Sequence, residues 1–344
     1  MLVEHPQVLT CDAREGAKLL KERSVHCMVC SPPYYKKRDY DKKSKEKWAE
    51  VQWADGSKCD LGWEPEPEQF ADHLVEVFNA QKRILRPEAT LWVNLADTHA
   101  NKKYANGCKP GDLLDVPGLF RARMIKAGWH CGTRVIWQKP DPMPESVATR
   151  PQRCHEEIFI FSLQPNPYYD RVAVREPSPD PQDAAKGLGH DIYDVWKVSR
   201  QALGLTGYDH VAPYPEGLVE PCIKAGTSEK GACPKCGAPW MRLYEMQTVW
   251  RDGSENSKQY GKYREVSGQP DLRKKGVRVI NKGWEPTCKC GILETVPCLV
   301  VDPFCGTGTT LLVSHKLGRN SIGFDIGPEF RQMAEERNQQ MRMC

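Results

Sequence analysis

The chain lacks any long apolar run. None of its hydrophobic stretches approaches the roughly 20 residues that a helix needs to cross a bilayer, and Met1-Leu2-Val3-Glu4-His5-Pro6 does not have the pattern of a secretory signal. The expectation is a cytoplasmic protein. Excess charge is also small: Lys and Arg number 49, Asp and Glu 45, for a formal net charge of +4. Any nucleic-acid surface must therefore be a local patch, and no RNA-binding module is recognisable. Cysteine, by contrast, is plentiful. The fifteen cysteines are an odd number, scattered through apolar segments as well as clustered, which argues against a pure disulfide framework and for a reducing compartment. At 344 residues the chain can bury a substantial core, as one large domain with an inserted module or as two domains.

The apolar run Val25-His26-Cys27-Met28-Val29-Cys30 reads as a buried strand, and Ser31-Pro32-Pro33-Tyr34 must stop it, because a proline pair cannot continue a ladder. A hydroxyl, a carbonyl without a competing amide and an aromatic ring then stand at the strand's carboxyl edge, where open α/β sheets bind ligands. That set suits methylation of a nucleobase amine. The lone pair of such an amine is delocalised into its ring, so it is a poor nucleophile. Two acceptors, Ser31 Oγ and the Pro32 carbonyl, could hold its two hydrogens and favour attack on a methyl donor. Tyr34 would stack on the base, which must first leave its helix. Ser-Pro-Pro also makes ordinary rigid turns, so the tetrapeptide alone leaves both readings open.

Near the other end, Cys298 to Thr310 runs as a β-branched strand into Asp302-Pro303-Phe304-Cys305-Gly306-Thr307-Gly308-Thr309 and then a helix. Gly306 and Gly308 permit a tight turn and close backbone approach to a nucleoside. The segment has neither the lysine of a Walker loop nor the third glycine of a dinucleotide fingerprint, so phosphate is not its obvious ligand. The strand Ser321-Ile322-Gly323-Phe324-Asp325 follows, ending in a carboxylate placed to accept from ribose hydroxyls.

With both elements present in this order, the chain resembles the amino-group DNA methyltransferases, which make N4-methylcytosine or N6-methyladenine, and within them the permuted β group. The resemblance extends to the blocks Thr90–Asp97, Ile136–Pro140, His155–Ile158 and His210–Pro215. It implies a class I S-adenosylmethionine-dependent methyltransferase fold, an α/β architecture with a mainly parallel seven-stranded sheet and helices on both faces. It assigns Ser31, Pro32, Pro33 and Tyr34 to catalysis. Asp302, Pro303, Phe304, Cys305, Gly306, Thr307, Gly308 and Thr309 fall to the cofactor, with Asp325 at its ribose and Asp12 near its adenine. Asp12 could equally be a helix N-cap before Ala13-Arg14-Glu15, and Asp325 could cap a helix at Pro328. His155 and Glu156 are read as structural. Serine in the first motif position implies cytosine N4 as the target in double-stranded DNA, with adenine N6 the alternative. A cytosine-C5 enzyme is disfavoured, because the Pro-Cys pairs at 221–222 and 297–298 both precede the cofactor turn. An inactive fold serving as a zinc-ribbon nucleic-acid-binding protein is a further reading.

An insertion from about Ala232 to Val296 separates His210–Gly231 from the cofactor strand. It opens with Cys233-Pro234-Lys235-Cys236-Gly237 and closes with Cys288-Lys289-Cys290-Gly291, spacing that fits a structural Zn2+ held by Cys233, Cys236, Cys288 and Cys290. Residues Arg251 to Lys282 between them are polar and basic and read as a flexible loop. Two basic stretches are candidate DNA contacts: Lys36, Lys37, Arg38, Lys42 and Lys43 after the first turn, and Arg273, Lys274 and Lys275 in the insertion. The expected division is residues 1–164 as the catalytic half, 165–208 as a short target-recognition region, 209–231 and 296–344 as the cofactor half, and 232–295 as the zinc-binding insertion. Strands are expected at Gln7–Cys11, Val25–Cys30, Thr90–Leu95, Thr133–Trp137, Ile158–Leu163, Leu299–Asp302 and Ser321–Phe324. The spacing of Phe70, Leu74, Val77, Phe78 and Leu85 predicts a helix.

Overall fold

The structure, a computed structural model, describes residues 6–37, 51–200, 213–250, 255–260 and 274–340. In chain order its strands are β1 (Gln7–Thr10), β2 (Val25–Cys30), β3 (Leu85–Leu95), β4 (His130–Gln138), β5 (His155–Ser162), β6 (Glu176–Pro177), β7 (Leu188–His190), β8 (Val195–Lys197), β9 (Trp240–Trp250), β10 (Glu255–Tyr260), β11 (Lys274–Pro286), β12 (Leu299–Asp302) and β13 (Asn320–Asp325). The helices are α1 (Ala13–Leu19), α2 (Pro67–Gln81), α3 (Val116–Lys126), α4 (Pro181–Ala185), α5 (Glu216–Gly226), α6 (Thr309–Lys316) and α7 (Pro328–Gln340). Among the described residues no helix is long and apolar enough to cross a membrane.

The chain divides into two units, the first made of Met1–Tyr168, Asp194–Ile223 and Leu299–Cys344. It holds a sheet in the order β1-β13-β12-β2-β3-β5-β4-β8. The ladders from β1 through β3 are parallel, β5 runs antiparallel to both β3 and β4, and β8 lies parallel to β4. Eight strands rather than the expected seven are present, because Val195–Lys197 pairs with the free edge of β4. The two ends of the chain meet in this sheet, as β1 pairs with β13.

Alternation along single strands shows that both faces of the sheet are covered. In β2 every residue is buried: Met28 joins the large core containing Phe70, Leu74, Phe78 and Phe120, while Cys27 Sγ lies 3.8 Å from the carbonyl of Cys222 in α5. In β1, Leu9 packs on the large core and Val8 joins Leu311 of α6 and Ala334 of α7. Adjacent strand residues point to opposite faces, so α2 and α3 cover one face and α5, α6 and α7 the other.

Helix α2 ends at Gln81, and Leu85, expected to continue its apolar stripe, instead opens β3. Leu85 pairs with Val25, and the register slips before Thr90 meets Cys27. Pro87, which has no amide to give to a ladder, stands in that irregularity.

Helix α1 approaches β13 closely. A Cβ built on Gly16 would lie 2.6 Å from the fully buried ring of Phe324. Gly16→Val is therefore expected to destabilise the fold by about 1–3 kcal/mol through overpacking, read as a lower urea midpoint. A parent-like midpoint would show that α1 can shift away without cost.

The second unit comprises Tyr169–Tyr193 and Lys224–Cys298. Its sheet runs β10-β9-β11-β7-β6 and is antiparallel throughout. Within Arg251–Lys282, expected as a flexible loop, the described residues form strands instead: β10 and most of β11 fall there, and β11 pairs with β9 along Lys274–Pro286. Strand β9 buries few side chains, so the ribbon shows little of the apolar pattern that a sequence would display. The ends of the insertion are clamped together, with the Ala232 and Val296 amides each donating to the other's carbonyl at 2.8 and 2.9 Å. Arg242 pairs with Asp170 at 3.0 Å and with Glu229 at 2.5 Å, its guanidinium 4.3 Å from the centre of the Trp284 ring.

Candidate active site

Because β1, β13, β12 and β2 are parallel neighbours, their carboxyl ends share one edge of the sheet. A cleft of about 920 Å³ lies there, as expected for an open α/β sheet. Ser31, Pro32, Pro33 and Tyr34 line it from the end of β2. Pro303 to Thr307 and Thr309 line it from the end of β12, Asp325 from β13, and Cys11 and Asp12 from β1.

The first turn is held by a convergent polar network. Ser31 Oγ donates to the Tyr34 hydroxyl at 3.0 Å, and that hydroxyl donates to Glu156 Oε2 at 2.5 Å. Asn94 Nδ2 donates to both oxygens, at 2.6 and 2.7 Å. Lys139 makes an ion pair with the other oxygen of Glu156 and lies 4.4 Å from the centre of the Trp137 ring. The chain returns over Tyr34 at Gly62, whose φ is +94°; a Cβ there would come within 3.0 Å of the Tyr34 carbonyl. Only glycine suits both the backbone angle and the approach.

In the second turn Gly306 and Gly308 have φ of +48° and +76°, so both expected glycines serve the turn itself. The Gly306 amide donates to Asp325 Oδ2 at 2.9 Å and the Gly327 amide to Asp325 Oδ1 at 3.0 Å. Burial, only partly offset by these donors, pushes the Asp325 carboxyl up to about 7. Asp302 does not line the cleft. It is fully buried, accepting from Thr310 Oγ1 at 2.5 Å, the Phe304 amide at 3.0 Å and the Tyr214 hydroxyl at 3.1 Å, and burial pushes it up to about 6. Its role in the structure is to fix the turn from below. Gly308 likewise stays out of the lining and caps α6. Asp12 caps α1, accepting from the Arg14 amide at 2.7 Å and from the Arg14 guanidinium, while still lining the cleft.

The basic residues divide. Lys37 lines the cleft. Lys36 does not, since its Nζ donates to the Trp63 carbonyl at 2.7 Å and sits over the Trp63 and Tyr35 rings. Arg38, Lys42, Lys43 and Arg273 lie outside the described residues, and Lys274 and Lys275 begin β11.

In the second unit, Cys233, Cys236, Cys288 and Cys290 bring their sulfurs within 4.8 Å of one another. Gly237 and Gly291, each following a second cysteine, have φ of +73° and +70°. The amides of Cys236 and Lys235 point at Cys233 Sγ and pull its thiol down to about 7. Two tight turns with amides aimed at sulfur are what a tetrahedral thiolate site needs.

Sequence reasoning missed Asn94, Lys139 and Tyr214 as site residues and read Glu156 as structural. Each lies within a block that the sequence marked as similar to the family, but the network joins three strands and a turn far apart in the chain.

A family model described as DNA methylase, grouping N6 and N4 enzymes, matches residues 25–233 and 298–336, well over half of the chain. The chain belongs to the N6/N4 DNA methylase family. Between the two matched segments lies the stretch carrying Cys236, Cys288 and Cys290. Among curated relatives of this family member, the type II methyltransferase M.SmaI of Serratia marcescens is 26% identical over 351 residues, spanning 96% of this chain and 90% of that protein. The type II methyltransferase M.Cfr9I of Citrobacter freundii is 32% identical over 236 residues, spanning 63% and 71%. Among solved structures, the cytosine-N4-specific PvuII DNA methyltransferase superposes with a TM-score of 0.58 at 14% identity, covering 99% of this chain and 92% of that one. The TTHA0409 protein of Thermus thermophilus, solved with S-adenosyl-L-methionine, gives 0.51 at 19%, covering 98% and 93%. These likenesses show the class I methyltransferase fold.

Proposed function

We propose that this DNA methylase transfers a methyl group from S-adenosylmethionine to the exocyclic N4 amine of a cytosine flipped out of double-stranded DNA. The observation that carries the reading is that Ser31–Tyr34 and Pro303–Thr307 line one cleft, at the ends of the paired strands β2 and β12. The cleft suits the cofactor: nothing lies within 4 Å of where a Cβ on Gly306 would stand, Phe304 offers a half-buried ring, and Asp325 offers a carboxylate. When bound, S-adenosylmethionine supplies an electrophilic methyl group. Ser31 Oγ and the Pro32 carbonyl would accept from the two amine hydrogens and orient the nitrogen, while Tyr34 would stack on the extruded base. Lys37, lining the same cleft, would neutralise a flanking phosphate.

The choice of cytosine rests on Ser31 and is supported by the N4 specificity of the structurally similar PvuII enzyme. The type II relatives support a role in DNA modification alongside restriction. The four-cysteine cluster is read as a structural Zn2+ site, and the insertion bearing it as contributing to sequence recognition.

Incubation with isotope-labelled cofactor and unmethylated duplex DNA, followed by digestion and mass spectrometry of the nucleosides, is expected to yield labelled N4-methylcytosine. N6-methyladenine would overturn the choice of base. DNA without label, together with no cofactor binding by calorimetry, would favour an inactive binding module.

A further inference from the structure

Methyl transfer to an amine leaves one proton too many. As the nitrogen bonds to the methyl carbon and the methyl–sulfur bond breaks, the positive charge of the sulfonium passes to the nitrogen. One N–H proton must then leave to give the neutral methylated amine. We infer that it leaves along a hydrogen-bonded relay from Ser31 Oγ through the Tyr34 hydroxyl to the carboxylate of Glu156. The inference rests on the proposed reading that Ser31 holds the target amine.

The bonds already run in the required direction. Ser31 donates to Tyr34 at 3.0 Å, and Tyr34 donates to Glu156 Oε2 at 2.5 Å. Ser31 Oγ takes the amine proton while giving its own to Tyr34, and Tyr34 gives its proton to Glu156. Serine and tyrosine end unchanged, and the carboxylate becomes a carboxylic acid. Glu156 lines the cleft with its side chain 10% exposed, so it can return the proton to water between turnovers.

The surroundings of Glu156 suit an acceptor. Lys139 is paired with its Oε1, which leaves Oε2 to accept from the Tyr34 hydroxyl. Asn94 donates to the Tyr34 hydroxyl and to Glu156 Oε2 together, holding phenol against carboxylate. A glutamate present only to neutralise Lys139 would not require Tyr34 and Asn94 to converge on its opposite oxygen. Among the described residues, the charged and titratable groups facing Glu156 are Lys139 just beyond β4 and Tyr34 and Lys37 from the turn after β2; Asn94 from β3 is neutral.

The test is the pH dependence of the single-turnover methylation rate for the parent, Tyr34→Phe and Glu156→Gln. Each variant is expected to react about 10²-fold more slowly, the scale of general base catalysis, with cofactor and duplex binding like the parent's, so that the loss lies in the chemical step. The fall in rate toward acid pH, where Glu156 can no longer accept, should disappear in Glu156→Gln. Tyr34→Phe keeps the stacking ring, so a loss there reports the hydroxyl and not the packing. A parent-like rate in either variant, or a slowed Glu156→Gln enzyme that keeps the parent's acid limb, would overturn the relay. Failure of the amine reading shows separately, as a product from the parent enzyme that is not an amino-methylated base.

Discussion

Ser31→Ala is expected to lower the single-turnover methylation rate by about 10²–10³-fold, the usual cost of removing one oriented hydrogen-bonding group at the reacting centre. Its S-adenosylmethionine affinity should remain that of the parent. The two halves of this result come from the sheet. Ser31 stands at the end of β2, whereas the cofactor turn is fixed from β12 and β13 by Asp302 and Asp325. The bonds that hold that turn do not pass through Ser31. Deleting one half-buried hydroxyl leaves the Tyr34 oxygen with its bonds to Asn94 and Glu156, so the turn itself should keep its shape and the urea midpoint should stay close to the parent's. Rapid-quench kinetics with excess enzyme, beside isothermal titration with the cofactor, separates chemistry from binding. A variant within threefold of the parent rate would remove the hydroxyl from the mechanism and leave the Pro32 carbonyl as the amine's acceptor.

The sheet was largely legible because its central strands are buried on both faces. Val25–Cys30 and Leu299–Asp302 announce themselves as short apolar runs ended by a proline turn or a glycine turn, and the structure has the same bounds. Helix α2 was legible from Phe70, Leu74, Val77 and Phe78, all buried on one stripe. Its end was not, because Leu85 continues the helical spacing while pairing as a strand residue with Val25. The β9–β11 ribbon was illegible for a different reason. Its ladder is made by backbone groups, which every residue carries, and its half-exposed side chains leave no apolar alternation to read.

The site was legible only as far as single segments carry it. Ser31–Tyr34 and Phe304–Gly308 each bring their chemistry within a few consecutive residues. The role of Glu156 depends on Tyr34, 122 positions away, and on Asn94, 62 positions away, a relation set by the order β2-β3-β5-β4 and not by any local pattern. Asp302 shows the converse: adjacency to the glycine turn suggested a ligand contact, yet its carboxylate faces Thr310 and Tyr214 below the turn.

Purified without chelator, the protein is expected to carry one zinc per chain, and Cys288→Ser is expected to lose it. Loss should unfold much of the second unit while leaving cofactor binding by the first intact. The expectation follows from how little else holds the cysteine-bearing segment. Its buried apolar side chains include Trp240, Met246 and Val277, a small core for a ribbon whose two long strands run to 11 and 13 residues. Small units with little apolar burial usually need a staple, and structural zinc contributes on the order of 10–16 kcal/mol in zinc-finger peptides. The clamp between Ala232 and Val296 adds backbone bonds worth about 1 kcal/mol each, and the Asp170–Arg242 pair is buried, where desolvation of both charges offsets much of their attraction, so neither would match the contribution of a bound metal. Four thiols converging within 4.8 Å, without a cation, would also set any ionised sulfur against its neighbours. Elemental mass spectrometry gives the stoichiometry, and limited proteolysis of parent and Cys288→Ser protein gives the consequence: cleavage between residues 233 and 296 should accelerate at least tenfold, matching a loss of more than about 1.4 kcal/mol of local stability. A metal-free parent that resists protease as well as the untreated protein would show that the ribbon folds on its own backbone pairing and that the thiols are not a zinc site.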